Sequence, residues 1–178
     1  MNFTLLPFRD SDLIDRFEGH ISVTREKIFC HYRMFGNISR IRWPEAAANL
    51  QREYELWTTT CFEFFLGPVD NTTYLEFNLS PGGNWNSFLF SDIRTGMAET
   101  DILTLSSVKV DSPDATERQI AAFIDFHSSP SFNGQLCIGV SAVIEDVDGD
   151  FHYYALKHPG PRPDFHDRGT RTLKCEVR

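Results

Sequence analysis

The sequence predicts an all-β chain, a β-sandwich of two antiparallel sheets with few short helices. Three observations carry this. Apolar residues recur with a period of two over most of the chain, turn-forming clusters separate the alternating runs, and helical periodicity is scarce. Aromatic residues make up 13% of the 178 positions, 16 of them Phe, which suits strands and a thick interior.

From the N-terminus, "DSDLIDRF" (10–17) has the spacing of a short helical turn. "KIFCHYRMF" (27–35) then alternates, with Ile28, Cys30, Tyr32 and Met34 opposing Phe29, His31, Arg33 and Phe35. "PEAAANLQREYE" (44–55) has the composition of one or two helical turns, with Pro44 near its start. In "CFEFFL" (61–66), Phe62, Phe64 and Leu66 share one face, and Cys61, Glu63 and Phe65 the other. In "YLEFNLS" (74–80), Leu75, Phe77 and Leu79 oppose Tyr74, Glu76, Asn78 and Ser80. "SFLFSD" (87–92) is strand-like. Ile120, Ala122, Ile124 and Phe126 share a face, as do Leu136, Ile138, Val140, Ala142 and Ile144. Turn clusters lie at 67–73, 80–85, 111–116, 127–134 and 146–150. The last of these, "DVDGD", predicts a hairpin between 135–145 and 150–157. From His158 onward the chain is proline-rich and irregular, and is expected to wrap over a sheet.

The totals bound the function. One domain over 1–178 is expected, large enough for a full core. A net charge of -8 argues against a nucleic-acid or anionic-membrane partner, since both need a basic face. Cys30, Cys61, Cys137 and Cys175 form no C-x-x-C pair, and three lie in apolar runs, so free thiols are expected. "MNFTLLPFRDSDLIDRF" lacks the basic-then-apolar pattern of an export signal, and no apolar run approaches about 18 residues. A cytoplasmic location is the expectation.

"ELWTTTCFEFFLG" (55–67) concentrates the candidate chemistry. Glu63 is either the polar side of a strand or a ligand group beside Trp57 and Glu76. An indole stacks on the apolar face of a sugar while carboxylates and amides hold its hydroxyls. Paired carboxylates also serve glycosidases, but that needs a fixed gap and one raised pKa, which sequence does not supply. Catalysis is therefore not expected.

The other motifs read as structure. "SPGGNWN" (80–86) lacks the Lys and the following helix of a phosphate loop, so it is a tight turn. Its Trp85 is either a lid on the core or an exposed platform. Asp146, Asp148 and Asp150 open like a calcium loop, but Lys157 stands at the twelfth position. His158, Asp164 and His166 form a weak alternative metal set without a known zinc spacing. No nucleophile motif is present.

Blocks 52–66, 74–86, "FSDIRTGM" (90–97) and "HPGPRPDFHD" (158–167) together resemble the stand-alone bacterial DOMON-like domain, which is similar to the family 9 carbohydrate-binding module. The resemblance implies a β-sandwich with a ligand cleft on one concave face, binding sugar or haem and usually without catalysis. It implies that Trp57 and Glu63, six residues apart, line that cleft. Glu76 stands where such modules can use Arg. Thr60 replaces an acidic residue often found before the "C-x-E" part. No second Trp closes the C-terminal side, where "YYALKHPG" offers Tyr153 or Tyr154 instead. Haem-binding members use Met with His or Lys, and here Met34 and Met97 are the relevant methionines. The expected ligand set is thus Trp57, Glu63, Glu76, Asn78 and Tyr154, without cofactor. A protein-interaction domain with a degenerate cleft, or a haem-binding domain, is the alternative.

Overall fold

The computed structural model describes residues 1–127 and 130–177. Its strands are β1 (Asn2–Thr4), β2 (Leu6–Pro7), β3 (Ile14–Val23), β4 (Lys27–Gly36), β5 (Cys61–Pro68), β6 (Tyr74–Leu79) and β7 (Trp85–Phe90). There follow β8 (Ala98–Glu99), β9 (Leu103–Asp114), β10 (Glu117–Phe126), β11 (Gly134–Glu145), β12 (Phe151–Ala155) and β13 (Leu173–Val177). They form two antiparallel sheets, ordered β1-β3-β4-β10-β9 and β2-β12-β11-β5-β6-β7-β8. The helical content of the described residues is confined to short 3₁₀ turns. Ser128 and Ser129 of the 127–134 turn cluster lie outside the described residues.

Period-two patterning fixes which face meets which. Ile28, Cys30, Tyr32 and Met34 of β4 meet Phe62, Phe64 and Leu66 of β5, Leu75, Phe77 and Leu79 of β6, and the even-numbered apolar residues of β11 in one core. The Tyr32 ring lies 4.9 Å from that of Phe62, and its hydroxyl donates to the Glu63 carbonyl at 3.1 Å. Each buried Phe or Leu is worth about 1.5–3 kcal/mol. A one-residue slip of β5 would turn three of them outward and Glu63 inward, so the register is held firmly.

The two expected helical turns are not formed. Over 10–17, β3 begins at Ile14 and carries a register shift between Ile14 and Arg16. That bulge lets Ile14 and Phe17, three apart, both reach the core, which mimics a helical period. Over 44–55, backbone N–H groups are spent on the neighbouring turn instead. Ala47 donates to the Gly82 carbonyl and Glu53 to that of Trp85, while Gln51 accepts from Trp85. Tertiary pairing overrides propensity here.

The turns behave as their residues require. Gly83 (φ 103°) closes the 80–84 turn, where the Ser80 N–H donates to Asn84. Trp85 is the lid on the core, stacked on Phe77 at 5.8 Å and covered by the Arg52 guanidinium. The "DVDGD" segment is the β11–β12 hairpin turn. Asp146 accepts from the N–H groups of Asp148 and Asp150 and contacts His152 Nε2 at 2.9 Å. The first carboxylate of the segment is thus part of the expected hairpin turn. All four cysteines are free thiols, three of them buried.

Strand β11 runs longer than its neighbours. On the edge opposite β5 it pairs with β12 over Ser141–Glu145 and with β13 over Gly134–Ile138. The chain between, residues 156–172, leaves this edge and returns to it. In doing so it lays Pro163, Phe165 and His166 across the outer face of the second sheet.

Candidate functional site

The outer face of the second sheet is unusual in what it buries. Alternation along β5, β6, β7 and β11 delivers Glu63, Phe65, Tyr74, Glu76, Phe88, Phe90 and Val143 to it. Cross-strand register sets Glu63 opposite both Ser141 and Asn78, and Glu76 opposite Phe65 and Phe88. Glu63 and Glu76 are therefore diagonal neighbours on adjacent strands. They are 3% and 4% exposed, although both line an open cleft of about 440 Å³.

Aromatic rings and two loops make the walls. Trp57, on a 3₁₀ turn (Leu56–Thr58) just before β5, is half-buried and meets Tyr54 and Phe88 edge-on at 5.6 and 6.0 Å. Tyr153 of β12 stands on the opposite side against Phe165, with ring centroids 6.2 Å apart. Phe90, Val143 and Pro163 complete the apolar lining. Arg94 and the exposed Met97 come from the loop after β7, where Arg94 adopts a left-handed backbone (φ 53°). Its guanidinium pairs with Asp164 at 2.9 Å.

Polar contacts at the floor are few. The Ser141 hydroxyl donates to Glu63 at 3.5 Å, and Asn78 Nδ2 donates to Glu76 Oε1 at 2.8 Å. His166 Nε2 faces Glu76 Oε2 at 3.7 Å, while its Nδ1 lies 2.7 Å from the Tyr74 hydroxyl. Burial, and secondarily the charge of Glu76, pushes the Glu63 carboxyl well above the usual range. Burial likewise raises Glu76 to about 7. Burial, reinforced by Arg94, lowers His166 to about 4, so its imidazole is neutral at pH 7. The cleft thus combines aromatic walls with two acids that resist ionisation. It can stack a flat apolar surface and hydrogen-bond the polar edge of the same ligand.

No family model and no curated protein matches this sequence. Solved structures do match it. One is a proposed carbohydrate-binding protein from Bacteroides uniformis, with a TM-score of 0.69 at 14% identity over all of this chain and 86% of that one. Two others are family 9 carbohydrate-binding modules from Caldicellulosiruptor kristjanssonii. The cellotriose complex gives a TM-score of 0.61 at 7% identity, covering 99% of this chain and 82% of that one. The glucose complex gives 0.56 at 9% identity, covering 92% and 76%.

The fold is that of the family 9 carbohydrate-binding modules. Within this CBM9-like frame the expected residues separate. Trp57, Glu63 and Glu76 come together in the cleft. Asn78 is fully buried and serves as the hydrogen-bond donor to Glu76, outside the cleft lining. Tyr154 is corrected to a core residue, packed on Phe17 at 5.4 Å, because alternation along β12 turns its neighbour Tyr153 to the cleft. The set His158, Asp164 and His166 does not converge. His158 contacts the Leu6 carbonyl, Asp164 pairs with Arg94, and His166 meets Tyr74. Among the described residues no three His, Cys, Asp or Glu side chains gather as a metal site. Met34 lies in the core, away from Met97 at the cleft.

Sequence reasoning assigned no cleft role to Phe90, Arg94, Val143, Pro163 or Phe165. Phe90 and Val143 carried a usable signal, since each continues the outward face of its strand. The others arrive on loops, whose path over the sheet no periodicity encodes.

Proposed function

We propose that the chain is a non-catalytic carbohydrate-binding sandwich whose ligand lies in the Trp57–Tyr153 cleft. The observation that carries this is a half-buried tryptophan beside two buried carboxylates on one open sheet face. The indole would take the apolar face of a pyranose ring, and Glu63 and Glu76 its hydroxyls. The shared fold supports the reading, because matched modules hold glucose and cellotriose. The non-catalytic reading is supported by the matched structures, which are described as carbohydrate-binding proteins and modules. A glycosidase separates its two acids into one ionised and one protonated group. Here burial raises both carboxyls, and no acid–base pair is assigned to them.

The test is a tryptophan-fluorescence and calorimetric titration with mono- and oligosaccharides, including glucose and cellotriose. Saturable binding that Trp57→Ala weakens, without release of hydrolysis products, is the expected result. Silence across a broad glycan panel, or affinity untouched by Trp57→Ala, would overturn it.

A further inference from the structure

The charge balance of the cleft narrows the ligand class. Glu63 and Glu76 emerge as diagonal cross-strand neighbours, a relationship that sets side-chain origins about 7 Å apart. One small group can therefore sit between the two carboxylates. The partners they have are neutral: a serine hydroxyl at 3.5 Å and an asparagine amide at 2.8 Å. Nearby cations are committed elsewhere. Arg94 influences both acids from the rim, but its side chain is more than half exposed and paired with Asp164. Arg171 lies over the Tyr74 ring at 4.0 Å and donates to the His166 carbonyl. His166 faces Glu76 as a neutral imidazole. When ionised, the two floor carboxylates are therefore short of positive charge.

The walls point the same way. Trp57, Tyr153, Phe165 and Phe90 surround the cavity above the carboxylates. Aromatic faces attract a desolvated ammonium, and the attraction grows where water is excluded. Two acids beneath aromatic rings suit an organic cation better than calcium or magnesium, which take six or more oxygen ligands. A neutral sugar would leave the acids protonated or their charge uncompensated.

We infer that the cleft selects an amine-bearing ligand, an amino sugar, with its ammonium seated between Glu63 and Glu76. This rests on the carbohydrate reading above and specifies its ligand. The ammonium donates hydrogen bonds to both carboxyls and compensates the charge of one ionised carboxylate, while the sugar ring stacks on Trp57. Uncharged or N-acylated sugars forgo the ionic contacts.

The experiment is calorimetric titration of the full chain at pH 7 with glucosamine, glucose, N-acetylglucosamine, cyclohexylammonium and calcium chloride. Glucosamine is expected to bind at least about tenfold tighter than glucose or N-acetylglucosamine. Glu63→Gln and Glu76→Gln should each erase most of that preference without lowering the melting temperature. Arg94→Ala, at an exposed position, should raise the glucosamine-to-glucose ratio several fold, because a competing cation is removed. This variant keeps the inference testable if a Gln variant does not fold. Equal affinity for the three sugars would overturn the ammonium inference and leave the carbohydrate reading standing. Cyclohexylammonium binding without any sugar binding would support the ammonium seat and overturn the carbohydrate reading. Calcium binding lost in Glu76→Gln, with glucosamine inert, would make this a metal site and overturn the inference. No binding of any probe would overturn both readings.

Discussion

The hydroxyl of Tyr74 lies 2.7 Å from Nδ1 of His166, joining residues 92 positions apart. It also accepts the Arg94 N–H at 3.2 Å. The hydroxyl proton is then free to go to Nδ1, leaving the His166 proton on Nε2, which faces Glu76. One phenol oxygen thus ties the loop after β7 to the strap that covers the sheet. Tyr74→Phe keeps the ring stacked on Phe90, 4.7 Å away, but removes both ties. It is expected to cost about 1–3 kcal/mol, measured by urea unfolding, because two partly buried partners lose their bond. Hydrogen exchange should quicken over 91–97 and 158–167. Unchanged exchange in both loops would show that the strap is held by its apolar contacts alone.

The cleft acids should write themselves into the pH dependence of stability. A carboxyl whose folded pKa is raised favours folding below its unfolded value, and that advantage is lost as pH rises through the folded value. Glu63 and Glu76 both act in this sense, Glu76 between about 4.5 and 7. Glu76 alone would account for on the order of 3 kcal/mol. His166 opposes them: its lowered pKa gives stability that is present above about 6.5 and lost as pH falls toward about 4. Two falling contributions and one rising one overlap between pH 5 and 6.5; above that only the carboxylates act, Glu76 until about 7 and Glu63 beyond it. Stability should therefore decline from pH 5 to 8, most steeply between about 6.5 and 7. Glu76→Gln should flatten the curve and be the more stable chain at pH 8. Denaturant melts of both proteins across this range decide it, and a wild-type stability that climbs toward pH 8 is the contrary result.

The tryptophans offer an internal contrast. Trp57 stands at the cleft, whereas Trp85 is 7% exposed and sandwiched between Phe77 and Arg52. Trp85→Ala is expected to cost about 3–5 kcal/mol of stability through lost burial and the cavity left behind. Trp57→Ala should cost much less stability but at least about 1 kcal/mol of sugar affinity, the worth of a stacked aromatic contact. Thermal melts paired with fluorescence titrations on both variants separate the roles. Equal destabilisation by the two would make Trp57 a core residue.

Much of the sandwich was legible because burial with a period of two has few competing explanations. The faces of β4, β5, β6, β10 and β11 follow directly from the alternation. It misled at 10–17, where a bulge counterfeits helical spacing, and at 44–55, where backbone donors found partners in a distant turn. Of the cleft, the strand-borne acids Glu63 and Glu76 were legible, and Trp57 through its place ahead of β5. Arg94, Pro163 and Phe165 were not, since each depends on how an irregular segment crosses the sheet. Asn78 shows a subtler limit. Alternation gives it the same face as Glu76, yet its amide is spent on that neighbour rather than offered to a ligand.

Tyr153 and Tyr154 put the register of β12 to a direct test. They are adjacent and chemically identical, so only the face of the strand distinguishes them. Tyr153 pairs with Val143, a residue of the outer cluster, and Tyr154 with Ala142, a residue of the core. Tyr154 is 1% exposed, and burial raises its phenol to about 12. Tyr154→Ala should therefore destabilise by about 3–5 kcal/mol, in the range of a large aromatic truncated in a core. Whatever chain still folds should bind sugar as before. Tyr153→Ala removes a half-buried ring at the cleft, and its backbone carbonyl can still accept from Phe8. Its cost should appear in ligand affinity, at about 1 kcal/mol or more, with a smaller effect on the melt. A reversed outcome, with Tyr154 governing affinity and Tyr153 stability, would mean that β12 is paired one residue out of step. The cleft would then need a different far wall.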